Sequence, residues 1–161
     1  MKVLMLGWEL PPHNSGGLGK ACFQLCKALS NQGVDIEFIL PYTADHMVDF
    51  MQITPAHPQN VQEIVVSSAA YDSYKYIYYD GPQEWHDVYA QQLMYEKAVE
   101  KLVDHREFDI IHAHDWLTFR AAMRAKARSG CPVILHIHSI EHDRAGGRLG
   151  NHLVHEIEYM A

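Results

Sequence analysis

Short apolar runs alternate with stretches of helical periodicity along much of the chain. Residues 2–7 and 34–40 are runs of strand length made mainly of apolar residues, which is typical of strands covered on both faces of a sheet. Between them, apolar residues recur every three or four positions from Leu18 to Leu29, and Gly33 follows as a helix stop. This order predicts a βαβ unit with parallel strands and a right-handed crossover.

The same alternation returns in the second half of the chain. Strands are predicted at 108–114 and 131–138, and helices at about 84–105, at 115–130 and near 151–161. Residues 61–67 and 74–79 also have strand character, and either an antiparallel hairpin or a continuation of the main sheet fits them. The pattern predicts the α/β class, with a Rossmann-like, mostly parallel, doubly wound sheet in one domain over residues 1–161.

Composition and charge exclude several classes of protein. The 161 residues carry a formal net charge of −7, which argues against a nucleic-acid binder because such proteins present a basic face. No stretch approaches the roughly 18 apolar residues of a membrane span, and the chain begins with a strand-like segment, so a cytoplasmic location is expected. The three cysteines lack the paired spacing of a zinc site, and Cys22 and Cys26 are expected to be buried.

A glycine-rich loop, HNSGGLGKA at 13–21, joins the first predicted strand to the first helix. Gly16, Gly17 and Gly19 carry no side chain that would keep backbone amides from an anion, and the helix adds its positive end. The loop matches neither a dinucleotide fingerprint nor a P-loop, since Cys22 and Ala21 stand where a glycine and a Ser or Thr would be. A phosphate or diphosphate is the predicted ligand, and a simple glycine turn is the alternative.

Two pairs of histidines end neighbouring strands, His112 with His114 and His136 with His138. Alternate residues of a strand lie on one face, so each pair points to one side at the edge where doubly wound sheets hold ligands. Neutral imidazoles can bind sugar hydroxyls, ligate a metal or find partners in a core. A metal-dependent hydrolase is therefore a competing class, although no recognised motif supplies its carboxylates. The charged residues expected nearby in a loop are Glu141, Asp143 and Arg144.

Three stretches together resemble the N-terminal domain of retaining GT-B glycosyltransferases, the group that contains glycogen and starch synthases and the related family 4 enzymes. They are KVLMLGWELPPHNSGGLGKACFQLCKAL at 2–29, DIIHAHDWL at 109–117 and PVILHIHSIEHDRAGG at 132–147. Their order, spacing and placement at strand ends agree with that family. The resemblance implies two Rossmann-like domains facing each other across a cleft, the first binding the acceptor and the second most of the nucleotide sugar.

The resemblance also implies roles for individual residues. Gly16 and Gly17 would give backbone amides to the diphosphate of the donor. His114 would be the catalytic residue that contacts the transferred sugar. The residues expected to bind sugar or acceptor are His138, Asp115 and Glu9.

The implied reaction is transfer of a hexose from a UDP- or ADP-glucose type donor to a carbohydrate acceptor, with no cofactor and no metal. The implied partner is a C-terminal domain, because the acid and basic pairs that hold the nucleotide in the family have no counterpart before Ala161, so the chain alone is expected to be inactive or weakly active. In bacterial glycogen synthases the corresponding loop is similar to KTGGLAD, with a lysine two positions before the glycine pair. This chain has Asn14 at that position, which argues against its being a strict glycogen synthase. A metal-dependent hydrolase and a sugar or sugar-phosphate binding module are the alternatives.

Overall fold

The computed structural model describes residues 1–12, 16–43, 45–56, 61–66, 75–79 and 88–161 of the chain. In chain order the strands are β1 (Lys2–Leu6), β2 (Asp35–Leu40), β3 (Gln52–Pro55), β4 (Val61–Val66), β5 (Lys75–Tyr79), β6 (Ile110–His114) and β7 (Val133–His136). The helices are α1 (Gly17–Ser30), α2 (Val88–Val103), α3 (Trp116–Ser129), α4 (Glu141–Arg144) and α5 (His152–Met160). Strands and helices alternate over most of this order, as the sequence pattern predicts.

Five strands form the central sheet in the order β3-β2-β1-β6-β7, and every neighbouring pair is parallel. The chain moves outward from β1 to β3 on one side and crosses back to β6 and β7 on the other. Such a switch point is where doubly wound sheets bind ligands, beyond the carboxyl ends of the strands. The register pairs Leu6 with Ala113 and His114 with His136, so β1, β6 and β7 end along one edge. The predicted fold class is confirmed.

Two parts of the sheet structure go beyond the sequence pattern. β4 and β5 pair in antiparallel fashion and form a separate two-stranded sheet, which decides between the two arrangements that fitted them. The sequence pattern does not predict β3, because its four residues, Gln52–Pro55, are half polar and end in proline. That proline is tolerated because β3 lies at the edge of the sheet.

The side chains of the central sheet sort into two packed faces. On one face, which we call the α2/α3 face, Leu4 and Ile111 are fully buried among residues of α2, α3 and α5. On the other, which we call the α1 face, Met5 is buried with Cys22 and Cys26 of α1. The burial expected for these two cysteines is confirmed. Helices cover both faces, as a parallel sheet requires.

Glycine and asparagine residues bound several helices at the predicted places. Gly33 (φ +79°) follows α1 and Gly130 (φ +75°) follows α3, both in the left-handed conformation that glycine adopts without steric cost. The side chain of Asn151 accepts the backbone N–H groups of Leu153 and Val154 and so starts α5. The helix predicted at about 84–105 is present as α2, and positions 84–87 lie outside the described residues.

Candidate functional site

The carboxyl ends of β1, β6 and β7 bring the predicted site residues to one edge of the sheet. Glu9 follows β1 and is buried, His114 ends β6 with no exposed surface, and His138 follows β7 half-buried. α1 crosses this edge, and the thiol of Cys22 lies with ring nitrogens of His114 and His138 so that all three atoms are within 4.8 Å of one another. Three segments far apart in the sequence therefore share one site.

The glycine-rich loop is described only from Gly16 onward. Positions 13–15, which include Asn14, lie outside the described residues. Gly16 is the residue before α1, with φ −59° and ψ 166°, and Gly17 is the first residue of the helix. A Cβ atom added to Gly17 would meet nothing within 4 Å. The packing of the described residues therefore does not require a glycine at position 17.

Glu9 holds the first turn of α1. Its Oε1 atom accepts a buried hydrogen bond of 2.8 Å from the backbone N–H of Gly19. A carboxylate at this place neutralises part of the positive helix end and satisfies one of the N–H groups that the first turn leaves unpaired. The Gly19 amide is thus occupied from within the chain, and the amides left to receive an anion are those before it. A sugar-binding role for Glu9 stays a prediction.

Four imidazole rings form a compact array at the ends of β6 and β7, which we call the imidazole cluster: His112, His114, His136 and His138. Ring centroids lie 4.5 Å apart along β6 and 4.2 Å apart along the chain from β7. Across the strands, His112 Nε2 is 3.3 Å from His136 Nδ1, and His114 Nδ1 is 3.0 Å from His138 Nε2. The prediction that each pair lies on one side of the sheet is confirmed.

Burial keeps the inner rings of the imidazole cluster neutral. Desolvation, with a smaller contribution from the neighbouring imidazoles, lowers the pKa of His114 to about 2. The same causes lower the pKa of His112 to about 4. Burial also lowers the pKa of His138, and the nearby Asp115 carboxylate opposes this shift. At neutral pH His114 is therefore a neutral ring with a single N–H, which can hydrogen-bond but does not act as an imidazolium acid.

Met5 selects the tautomer of His114. Its Sδ atom lies 3.0 Å from His114 Nε2 and has no proton to donate, so the Nε2 atom carries the hydrogen. The Nδ1 atom of the same neutral ring then accepts the proton of His138 Nε2. Neither Met5 nor the proximity of Cys22 to the histidines is predicted from the sequence. Their signal is positional, since Met5 pairs with His112 in the register and Cys22 lies one turn after the loop glycines.

Asp115 clamps the segment after β7 to the end of β6. Its Oδ1 atom accepts the backbone N–H of His138 at 2.7 Å, and its own N–H donates to the His136 carbonyl at 2.9 Å. The residue has φ +60° and ψ 171°, a region that L-residues rarely adopt and that costs of order 1–3 kcal/mol. The contacts of Asp115 thus position His138. The sugar-binding role assigned to its carboxylate stays a prediction.

The charged stretch after β7 is not the loop that the sequence predicted. Residues Glu141–Arg144 form the single helical turn α4. Arg144 donates to the Ser139 carbonyl at 2.7 Å and to Glu158 at 2.8 Å, while Glu141 accepts the Asn151 N–H at 2.6 Å. These charges close a network between α4 and α5, which is why the segment is ordered as a turn.

A second concave region lies at the opposite, amino-terminal edge of the sheet. This groove of about 850 Å³ is lined in part by Arg106, Phe108, Asp109 and Cys131. The Asp109 carboxylate accepts the backbone N–H of Lys2 at 2.6 Å, and the Cys131 thiol donates to the Phe108 carbonyl at 3.1 Å. Because its polar groups join neighbouring strands and ligands of doubly wound sheets bind at the other edge, we place the site at the imidazole cluster.

The fold and the site define a Rossmann-like domain whose ligand edge is formed by a glycine-led helix and neutral imidazoles. Residues 2–160 match the family described as starch synthase catalytic domain, and the chain belongs to that family. It corresponds to the N-terminal part of glycogen- and starch-synthase-like GT-B glycosyltransferases, as the resemblance implied. None of the described helices is long and apolar enough to cross a membrane.

Individual relatives agree with this assignment. A glycogen synthase of Mycobacterium tuberculosis is 27% identical over 166 residues, covering 98% of this chain and 39% of that protein. An uncharacterized glycosyltransferase of Methanocaldococcus jannaschii is 28% identical, covering 100% of this chain and 37% of its own length. The chain thus spans about two-fifths of the length of each of these two curated relatives.

Solved structures show the same fold. A sucrose-phosphate synthase from Thermosynechococcus elongatus superposes with a TM-score of 0.67 at 11% identity, covering 99% of this chain and 39% of that one. The catalytic domain of starch synthase IV from Arabidopsis thaliana, bound to ADP and acarbose, gives a TM-score of 0.52 at 18% identity, covering 90% and 36%. In each case the shared part is one half of a GT-B structure.

Proposed function

We propose that this domain is the acceptor side of a retaining glycosyltransferase that transfers a hexose from a nucleotide sugar to a carbohydrate acceptor. The observation that carries the proposal is the edge shared by α1, the buried His114 and the half-buried His138, where the Cys22 thiol of α1 lies within 4.8 Å of a nitrogen of each ring. An anion-binding helix end beside neutral hydrogen-bonding rings suits a sugar joined to a diphosphate.

Gly16 and Gly17 receive the diphosphate of the donor in this proposal. The N–H groups at the start of α1 form the positive end of the helix dipole. They would stabilise the negative charge that accumulates on the diphosphate as it leaves. Since a Cβ atom at Gly17 would clash with nothing in the described fold, close approach of a ligand is a direct reason for glycine at that position.

His114 contacts the transferred sugar in this proposal and does not donate a proton to it. Because burial lowers its pKa to about 2, the ring stays neutral while the donor breaks down. His138 lines the acceptor side, and the Asp115 carboxylate fixes its backbone through the 2.7 Å hydrogen bond. Asp115 in this scheme is a positioning residue.

The remaining donor contacts come from a second domain in this proposal. The curated relatives are much longer than this chain, and the starch synthase IV structure has ADP and acarbose bound. An ADP- or UDP-glucose type donor and an α-glucan acceptor are accordingly the substrates to test first. Without the second domain most of the donor-binding energy is missing, so the chain alone is expected to turn over slowly or not at all.

The first experiment measures acceptor binding by the 161-residue chain, in the presence of EDTA. Imidazole signals are recorded by NMR while maltoheptaose is added, and the His138 signals are expected to shift in a saturable way. His138→Ala should abolish this binding, and the exposed His152→Ala should leave it intact. Saturable binding that survives in His138→Ala would contradict the acceptor assignment.

The second experiment measures transfer of labelled glucose from ADP-glucose and UDP-glucose to glycogen. The chain alone is expected to show no turnover, whereas a chimera in which it replaces the matched segment of the mycobacterial glycogen synthase is expected to transfer glucose. His114→Ala should slow the chimera about 10²- to 10³-fold, the usual loss for one preorganised donor group. Robust turnover by the chain alone, or an unchanged rate in His114→Ala, would refute the proposal.

A further inference from the structure

The proposed function gives no role to the charged stretch that follows His138. This stretch, Glu141–Arg144, forms the helical turn α4, which lies in the chain between His138 and α5. The guanidinium of Arg144 contacts the carboxylates of Glu141 and Glu158, and the three side chains are 33%, 15% and 11% exposed. A cation held between two largely buried carboxylates differs from an ordinary solvated surface charge, so its position calls for an explanation.

All three nitrogens of the Arg144 guanidinium donate hydrogen bonds. Nε donates to Glu141 at 3.1 Å and Nη2 to Glu158 at 2.8 Å. Nη1 donates to the Ser139 carbonyl at 2.7 Å and to the Ser139 hydroxyl at 2.8 Å. The planar guanidinium makes these contacts together because its donors point in fixed directions. Arg144 therefore joins α4, α5 and the residue after His138 in one arrangement.

Contacts from α5 and from the turn before it hold Glu141 and Glu158 in place around the arginine. The backbone N–H of Glu141 donates to Glu158 at 2.8 Å, and the Glu141 carboxylate accepts the Asn151 N–H at 2.6 Å. A Cβ atom added to Gly150 would overlap the Glu141 side chain, so the chain passes directly against it. The acceptors of Arg144 are thus fixed by packing as well as by charge.

The His138–Ser139 segment is held at both of its ends. Asp115 accepts the N–H of His138 at 2.7 Å, and Arg144 donates to the carbonyl of Ser139 at 2.7 Å. Each residue has two soft backbone dihedrals, so a bond at one end alone leaves the segment free to turn. Bonds at both ends restrict it, which makes Arg144 the second anchor beside Asp115.

The backbone of this segment sets the place of the His138 ring. Its Nε2 atom donates to His114 Nδ1 at 3.0 Å, and hydrogen bonds weaken steeply when their geometry is lost. A turn of the backbone would move the His138 ring away from His114. It would also move the ring away from the position at which the proposed acceptor binds.

We infer that Arg144 is a positioning residue for acceptor binding. It fixes the backbone after His138 and so holds that ring beside His114, while its own guanidinium is occupied by Ser139, Glu141 and Glu158. The inference rests on the proposed function, because it concerns the ring to which the acceptor is assigned.

The first test uses proton NMR of the 161-residue chain in EDTA, without any ligand. The His138 Nε2 proton, identified by its absence in His138→Ala, should exchange with water at least tenfold faster in Arg144→Gln. Arg144→Lys should behave like Arg144→Gln, since one ammonium group cannot replace the fixed fork that contacts Ser139 and Glu158.

The matched control is an arginine whose ion pair lies away from the site. Arg128 of α3 donates to Asp104 after α2, and Arg128→Gln should leave the His138 proton unchanged. Circular dichroism checks the fold of each variant. Glu158→Gln keeps the size of the side chain and removes its charge, so it should speed exchange in the same direction and provides a second variant where Arg144→Gln does not fold.

The second test measures the acceptor in solution and in the chimera with the mycobacterial enzyme. Arg144→Gln should raise the maltoheptaose dissociation constant of the chain, and the glycogen KM of the chimera, about tenfold, within the 10²-fold that a misplacement of 1 Å can cost. The KM for the nucleotide sugar and the kcat at saturating glycogen should stay unchanged. A merely structural defect would lower the active fraction, and so kcat, without changing either KM.

The outcomes separate this inference from the proposed function. A parent chain that does not bind maltoheptaose would refute both. An unchanged His138 proton in the folded Arg144 and Glu158 variants, or an unchanged acceptor affinity in Arg144→Gln beside a parent that binds, would overturn the positioning role alone.

Discussion

The two faces of the central sheet are built from alternate residues of the same strands, yet they end differently at the carboxyl edge. On β6, Ile111 and Ala113 are fully buried on the α2/α3 face among apolar neighbours. His112 and His114 alternate with them along the strand and join the imidazole cluster, where His114 contacts Met5 of the α1 face. The period of two in a strand thus separates packing from chemistry, so each should be alterable without the other.

The largest effect is expected from truncation on the α2/α3 face. Phe119 of α3 is 2% exposed, and Phe119→Ala should lower the free energy of unfolding by about 3–5 kcal/mol through lost burial and the cavity left behind. Urea denaturation at pH 7.5 measures this change. Met123→Ala on the same helix, at a side chain that is 41% exposed, is the control and should stay within about 0.5 kcal/mol. Equal losses in both variants would show that α3 does not pack as described.

The α1 face should instead be sensitive to pH. Folding lowers the pKa of His112 to about 4 and of His114 to about 2, chiefly through burial, so the unfolded chain takes up protons first. The stability contributed by keeping these two rings neutral is fully present above pH 6.5. It is lost as the pH falls from there towards 4 for His112 and towards 2 for His114. Between pH 7.5 and pH 5 each ring should cost about 2 kcal/mol of unfolding free energy.

Urea denaturation in EDTA at several pH values checks this expectation. His112→Asn should remove about half of the pH dependence, because only one of the two buried rings remains. Phe119→Ala is the matched control, since it should lower stability without changing the dependence on pH. A flat profile from pH 7.5 to pH 5 would mean that the rings are not held neutral by burial.

The sequence predicts the elements whose determinants are local. Apolar runs locate β1 and β2, Gly33 and Gly130 stop the helices they follow, and the period of two places each histidine pair on one side of the sheet. β3 is too short and polar for that reasoning. The pairing of β4 with β5 depends on a choice of partners that periodicity does not encode.

The site is predictable in its residue types and less so in its contacts. Its edge follows from the parallel order of the strands, which put His114 and His138 near the glycine-led helix. The bond from the Gly19 N–H to Glu9 and the approach of Cys22 to His114 join segments far apart in sequence, so no local pattern signals them. The turn at Glu141–Arg144 likewise depends on contacts with α5.

A smaller effect is expected at Asp115, which links the end of β6 to the segment after β7. Asp115→Ala loses the acceptor of the His138 N–H and keeps the unfavourable φ of +60°, so it should cost about 1–2 kcal/mol. Asp115→Gly loses the same contact but relieves the backbone, and should retain about 1 kcal/mol relative to Asp115→Ala. Unfolding free energies measure both variants. Faster hydrogen exchange at the His138 amide in both is the second readout, and an unchanged rate would contradict the clamp.

The smallest effect on stability is expected at Gly17, and it separates packing from function most sharply. A Cβ atom there meets nothing within 4 Å, so Gly17→Ala should change the free energy of unfolding by less than about 0.5 kcal/mol. Gly7 is the matched contrast, because a Cβ atom on it would lie 2.1 Å from the Phe38 ring, and Gly7→Ala should cost about 1–3 kcal/mol.

If the diphosphate approaches Gly17, the order of the two alanine variants should reverse when transfer is measured in the chimera. Gly7→Ala is the more damaging variant for stability, and Gly17→Ala should be the more damaging one for transfer. Gly17→Ala, as stable as the parent, should slow transfer at least tenfold, a loss of about 1.4 kcal/mol in transition-state binding. Gly7→Ala should change the free-energy barrier of transfer less than it changes the free energy of unfolding. The reason is that its added methyl group lies against the Phe38 ring on the α1 face. Full activity in Gly17→Ala would leave the glycine without a ligand to explain it, and the diphosphate would have to bind elsewhere.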